Sequence, residues 1–239
     1  MFNILYSIKR RLGIATAEEY KTHLVSVGIK IGAHTKFFSS KITIDEQRPW
    51  MIEIGDYTKI TSGVMILQHD YSRSVIRRVY GQVVGESKKT IIGDNVFIGV
   101  NAIILMGTHI GNNSIVGAGS IVSGVFPDNV VIAGNPGKII CTIEDYYNKR
   151  KGSYLDEAIE TFLEFKRKKG REPTIQEMGS FWPLFLPKSV SELKKEKIYT
   201  NLSGDDEDDI IKCWLKEEAP FSDYQEFKDF IYKKVINDA

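Results

Sequence analysis

The sequence is short of the features that announce most chemistries. It holds two cysteines in 239 residues, Cys141 and Cys213, in unlike contexts and without CxxC or zinc-type spacing. That excludes a disulfide framework and predicts a reduced, cytoplasmic protein with two free thiols. Neither sign of charge is in excess: 32 basic against 31 acidic side chains leave a formal net charge of +1. Nothing in that balance draws the chain toward nucleic acid or an anionic membrane. No apolar run approaches the roughly 18 residues that a transmembrane segment requires. The opening MFNILYSIKRRLGIATAEEY has a basic cluster but no long apolar core and no small-residue cleavage site. Its segment Phe2–Leu12 is expected to lie on a surface or, more simply, to pack against another subunit. HxxxH, HxH and EF-hand patterns are all missing, so no metal is expected. The acidic run DDEDD at 205–209 reads as the N-terminal edge of a helix, where negative charge is favoured.

What the chain does have is a rhythm. From Ile92 it divides into sixes: IGDNVF, IGVNAI, ILMGTH, IGNNSI, VGAGSI, VSGVFP. Each block opens with Ile or Val, and the fifth position (Val96, Ala102, Thr108, Ser114, Ser120) is small or β-branched. Less regular blocks precede them: IGAHTK, IGDYTK, ITSGVM and ILQHDY. The count is blurred in FFSSKITIDEQRPWM and broken outright at residues 71–91. A parallel β-helix accounts for this pattern. Three short strands make one triangular coil of about 18 residues, its opening aliphatics point inward, and stacking stabilises what one coil cannot. Gly and β-branched residues at this density oppose an α-helix. The fold class is therefore mainly β, a parallel β-helix with a protruding loop.

The two ends break from the rhythm. Thr16 to Glu19 has the form of a capping box, predicting a short helix over 16–24 within an N-terminal segment 1–27. The β-helix is assigned to 28–141, with its loop excursion at 71–91. Beyond it, residues 142–239 read as a helical region. Apolar stripes predict helices over Asp156–Lys169, Asp208–Glu218 and Ser222–Ile236, and Thr174 to Glu177 offers a second capping box.

The blocks, with VVIAGNPGKII closing them, resemble the hexapeptide-repeat, left-handed β-helix acyltransferases, in particular galactoside, maltose and xenobiotic acetyltransferases and the sugar O-acetyltransferases of polysaccharide synthesis. The resemblance covers about residues 28 to 141, and the left hand of the coil comes from it alone. Hexapeptide repeats also occur in carbonic anhydrases with metal-binding histidines and in non-catalytic subunits, so the order of features matters. In galactoside-type members the catalytic histidine stands just before a loop that interrupts the coils. Here His69 precedes the interruption and IIGDNVFIG follows it.

The resemblance thus implies an acetyl-CoA-dependent O-acetyltransferase acting on a sugar or glycan hydroxyl, with His69 as general base. An imidazole can take the hydroxyl proton near neutral pH, and a backbone N–H can stabilise the developing oxyanion. Direct transfer needs no covalent enzyme intermediate. Asp70 is not assigned as the group that orients His69, because neighbours on a strand face opposite ways. The resemblance further implies a bacterial cytoplasmic homotrimer with sites between subunits, coenzyme A lying along the coils. By motif position Phe97, Ala118, Gly119, Ser123, Gly124 and Lys138 would line it. Phe97 stands where tryptophan is common and Gly124 where a lysine is, which implies altered contacts. For the acceptor, Asp45 and Trp50 upstream and Tyr71 and Arg73 in the loop form a polar and aromatic set suited to a sugar. Two alternatives stay open: an N-acetyltransferase for an amino sugar nucleotide, and a non-catalytic trimeric scaffold.

Overall fold

An aliphatic residue at every sixth position asks to be stacked on its equivalent, and the chain does this on three faces. A computed structural model describes residue 6, residues 9–198, residue 200 and residues 205–237. Much of the segment expected to pack at the N-terminus (residues 2–5, 7 and 8) lies outside them, as does the side chain of Val235 in the last predicted stripe. The first face stacks Lys30–Ile31, Ile52–Ile54, Thr90–Ile92, His109–Ile110 and Val125–Phe126 in parallel. The second stacks Lys36–Phe37, Lys59–Ile60, Phe97–Ile98, Ile115–Val116 and Val130–Ala133. The third holds Thr43–Ile44, Met65–Ile66, Ile103–Ile104 and Ile121–Val122. His109 pairs with Ile91, 18 residues back, so one turn is three blocks. This arrangement fits the left-handed β-helix.

Ile92, Ile98, Ile104, Ile110, Val116 and Val122 all point inward and are buried, as are the fifth-position residues between them. Where that fifth residue is polar, its hydroxyl bonds to backbone: Thr108 Oγ1 donates to the Leu105 carbonyl at 2.6 Å and Ser114 Oγ to that of Asn112 at 3.0 Å, and Ser120 Oγ accepts from Gly134 N–H at 3.2 Å. Nothing polar is therefore left stranded between rungs at these positions. One corner is held by a ladder of Asx side chains. Asp56, Asp94, Asn112 and Asp128 each accept, at 2.7–2.8 Å, from a backbone N–H in the rung before. The preceding Gly is required by that close approach. A Cβ on Gly55 would stand 2.2 Å from Asp94 Oδ1 and 2.6 Å from the Gly93 carbonyl.

Both ends of the coil are covered. Helix α1 (Ala17–Val27) carries the reciprocal Thr16–Glu19 capping box and buries Tyr20 and Leu24, and the Tyr20 hydroxyl accepts from Ile44 N–H at 3.0 Å. At the far end Lys138–Thr142 pairs antiparallel with Val130–Ala133, so the last parallel edge is not left open. Between Ile66 and Thr90 the coil is interrupted. The loop expected over 71–91 carries helix α2 (Arg73–Tyr80), which buries none of its residues, and the last two residues of that loop already belong to the strand Thr90–Ile92.

The chain divides into two units, Met1–Tyr147 and Asn148–Ala239. Helix α3 (Ile143–Lys169) contains the division. The second unit has its own core, in which Ala158, Ile159 and Phe162 of α3 meet Trp182, Phe185, Leu186, Trp214, Phe227 and Ile231. Phe227 is stacked on Phe185 at 4.9 Å and set edge-on to Phe162 at 6.2 Å. Three further helices follow: α4 (Val190–Lys195), α5 (Glu207–Lys216) and α6 (Tyr224–Asn237). Asp206 caps α5, as the acidic run predicted. The Thr174–Glu177 box forms its bonds but opens only a turn and the 3-10 segment Gly179–Leu184, where Gly179 at φ 58° and Pro183 stop a longer helix. Among the described residues, no helix is long and apolar enough to cross a membrane.

Candidate active site

The third face ends in the residues that matter. In-register pairing sets Ile44 beside Ile66, so Asp45 runs out beside Leu67 while His69 lies two residues further on. Strand alternation gives Asp45, Leu67 and His69 the outer side and Ile66 and Gln68 the inner. Asp45 Oδ2 receives His69 Nδ1 in a short contact, and the two side chains are 7% and 11% exposed. The same carboxylate accepts from Gln47 N–H at 3.0 Å and Gln68 N–H at 3.4 Å. A carboxylate held this way is an acceptor only, so the ring proton belongs on Nδ1. Nε2 is buried and has no partner. A buried, unpaired ring nitrogen is costly unless something comes to use it. Chemically, that lone pair is a base held in a fixed direction.

Asp45 is thus corrected from the sequence expectation: it was assigned to the acceptor, yet its oxygens are occupied within the chain and it holds the histidine. Its neighbour Glu46 is likewise engaged, by His23 Nε2 at 2.7 Å and Arg10 at 2.9 Å. Asp70 points elsewhere, accepting from the Ser72 hydroxyl at 2.7 Å and amide at 2.8 Å, and the hydroxyl and then the amide hold it below the usual carboxylate range. Tyr71 sets its ring edge against His69 at 5.0 Å and is 64% exposed, with the Arg73 guanidinium 5.6 Å from its centroid. Trp50, 67% exposed, sits on the 3-10 turn Pro49–Met51, five residues after Asp45. Tyr71 is therefore brought to the histidine and Arg73 to Tyr71, while Trp50 forms no hydrogen bond or ring contact with His69.

The six residues expected to line coenzyme A lie on the coil surface. Phe97 is 41% exposed on the second face, and Ala118, Gly119, Ser123, Gly124 and Lys138 are all exposed. Open space stands beside Gly119 and Gly124, where an added Cβ would meet nothing within 4 Å. Ser123 continues the third-face column two rungs from Leu67, about 10 Å at ordinary strand spacing. Small residues, open space, an aromatic and a terminal cation fit a long, phosphate-bearing thioester. Phe97, Ala118, Gly119 and Lys138 form no hydrogen bond or ring contact with His69.

Residues 89–123 match the family described as the hexapeptide repeat of succinyl-transferase. Across 123 residues the chain is 38% identical to "Protein CapG" of Staphylococcus aureus, covering 52% of this chain and 71% of that protein. The putative acetyltransferase YvoF of Bacillus subtilis is 34% identical over 134 residues, 56% of this chain and 70% of its own. The chain belongs to the hexapeptide-repeat acetyltransferases. A third relative of this acetyltransferase is the putative lipopolysaccharide biosynthesis O-acetyl transferase WbbJ of Escherichia coli, 34% identical over 128 residues, covering 48% of this chain and 65% of the relative.

Asp45 as the orienting group was missed for a physical reason. It lies in the stretch where the six-residue count is blurred, so its alignment beside the His69 strand could not be counted off. Gln68 did carry a signal: it is a polar residue at an inward position, two after Ile66, and it is fully buried.

Proposed function

We propose that this acetyltransferase moves an acetyl group from acetyl-CoA to a hydroxyl of a sugar or glycan, with His69 as general base. One observation carries the reading: the buried His69 Nε2 has no partner, while Nδ1 is fixed on Asp45. Acetyl-CoA supplies the acetyl group as an activated thioester. His69 Nε2 takes the proton of the acceptor hydroxyl as its oxygen attacks the carbonyl carbon. Asp45 holds Nδ1–H throughout and stabilises the imidazolium that forms. A backbone N–H of a neighbouring rung faces the oxyanion. When the C–S bond breaks, Nε2–H returns its proton to the departing sulfur, and His69 is neutral again. Phe97, Ala118, Gly119, Ser123, Gly124 and Lys138 bind the donor, Lys138 by its charge near phosphate. Tyr71, Arg73 and Trp50 contact the acceptor.

The name of the Escherichia coli relative supports a glycan hydroxyl as acceptor. The buried Asp45–His69 pair favours a hydroxyl over the amine of an amino sugar nucleotide, because a deprotonated amine needs less help from a base. We place the reaction in the cytoplasm, where acetyl-CoA is made, in a homotrimer with sites between subunits. The test is His69→Ala, assayed with labelled acetyl-CoA across sugars, nucleotide sugars and oligosaccharides. Transfer should fall by about 10²–10⁴-fold while acetyl-CoA still raises the melting temperature. Undiminished transfer by the variant would remove the reading. Failure of acetyl-CoA to shift the wild-type melting temperature would favour a scaffold.

A further inference from the structure

We infer that Gln68 and Ser87 form a positioning pair that supports Asp45 in setting the ring tautomer of His69 and ties the strand end that carries it to the returning end of the insertion. This rests on the reading of His69 as the base. Gln68 is fully buried, and its terminal amide does two things at once. One end lies 3.3 Å from His69 Nδ1, and the other lies 2.7 Å from Ser87 Oγ. Ser87 Oγ is also 3.2 Å from the Gln68 backbone carbonyl, which accepts from Lys88 N–H at 3.1 Å as well. A bridge pairs His69 with Ser87 in antiparallel fashion. The chain thus leaves the coil beyond His69 and returns through Ser87, clasped through Gln68 and the backbone beside the imidazole.

Counting protons decides how the amide works. With its nitrogen toward Nδ1 it suits a ring whose Nδ1 is bare. Asp45, an acceptor, requires the opposite: Nδ1 must carry the proton, and two donors would then face each other. The nitrogen-inward orientation also asks the single Ser87 hydroxyl proton to serve both the Gln68 side chain and its backbone carbonyl. A half-turn of the amide removes both conflicts. The oxygen then faces Nδ1–H alongside Asp45, the amide nitrogen donates to Ser87 Oγ, and the Ser87 proton goes to the Gln68 carbonyl. The Nδ1 proton then lies between two acceptors, Asp45 and the Gln68 oxygen, one amide N–H and the Ser87 hydroxyl each have an acceptor, and the ring nitrogen left bare is Nε2. Ser87 therefore acts through Gln68, and Gln68 through His69; neither touches the reacting atoms.

The experiment uses the full chain, ligand-free, with ¹⁵N-labelled histidine. In wild type the His69 nitrogens should show one protonated Nδ1 and one bare Nε2. Gln68→Met, which keeps the bulk and removes the polar atoms, should move both resonances part of the way toward a tautomeric average, Asp45 alone then holding the proton on Nδ1. The same variant should lower kcat for acetyl-CoA hydrolysis, water standing in for the acceptor, by about tenfold, the rate equivalent of one hydrogen bond. KM for acetyl-CoA should stay within about twofold, since the donor does not touch Gln68. Ser87→Ala should give the same spectral change in weaker form and a fall in kcat of about threefold, and Ser87→Thr, which keeps the hydroxyl, should restore both. Unchanged resonances and kcat in Gln68→Met, with His69→Ala inactive, would overturn the pair and leave the base in place. An active His69→Ala would instead remove the base reading itself. Should Gln68→Met fail to fold, Ser87→Ala carries the decision on the same two measurements.

Discussion

The coil and the helical unit solve the same problem, burying apolar surface, in opposite ways. In the coil nearly every side of each rung inserts one aliphatic residue (Phe37 and Phe126 stand in at two), and rungs meet through backbone and Asx hydrogen bonds at 2.7–3.2 Å. In the helical unit the core is aromatic and drawn from residues spread between Ala158 and Ile231. The coil's tolerance is set by how closely backbones approach. That of the helical unit is set by how side chains fit. Periodicity makes the coil legible, and it also makes any departure conspicuous. Gln68 and the insertion after it are such departures, and they surround the candidate base. The helical unit has no period to depart from, so nothing among its described residues stands out as a departure.

The largest test of this contrast is a single methyl group at a coil corner. Gly55→Ala places a Cβ 2.2 Å from Asp94 Oδ1 and 2.6 Å from the Gly93 carbonyl. Neither neighbour can give way easily, because Asp94 Oδ1 is bonded to Asp56 N–H at 2.7 Å and Gly93 belongs to the next rung. A loss of about 3 kcal/mol is expected, read as an earlier midpoint in urea with an unchanged slope. A loss below about 0.5 kcal/mol would mean that the rungs are looser than drawn and that backbone approach is not what limits the coil.

That prediction depends on the part of the fold the sequence made plain. Ile92 through Val122 were expected inside and are buried, and the α1 cap was readable from Thr16 and Glu19. Helix α3 was legible only from Asp156, because an apolar stripe marks a helix only where one face is buried. Residues 143–152 bury nothing, so the first turns of α3 had no signature. At the site His69 was legible from its order in the chain, before the break. Asp45 was not recognised as its partner, since the count is blurred over residues 37–51. Nor was Ser87, whose role depends on where the insertion returns.

A smaller effect tests how α1 is rooted on the coil. Burial pushes the Tyr20 phenol up to about 12 from its ordinary value of 10.0. The folded value being raised, the associated stability is fully present below pH 10 and is lost as pH rises from there through about 12. Tyr20→Phe removes that titration and the acceptor of Ile44 N–H together. At neutral pH the variant should be less stable by about 1 kcal/mol, and the gap should close between pH 10 and 12. Denaturant melts at pH 8 and pH 11.5 (roughly the two ends of this window) measure it, and a gap that stays constant would disprove the linkage.

The smallest effect has the opposite sign, although the substitution is chemically the same as the first. Gly152 lies exposed within α3, at a backbone conformation open to any residue, and an added Cβ would meet nothing within 4 Å. Its cost is entropic, the freedom a glycine gives up on entering a helix. Gly152→Ala should therefore raise stability by about 0.5–1 kcal/mol, with the melting temperature up by about 2–4 °C. The pair of variants separates two meanings of glycine: at 55 it makes room for a neighbouring rung, and at 152 it only weakens a helix. A destabilised Gly152→Ala would show that the α3 surface around residue 152 is packed against something when the protein is folded.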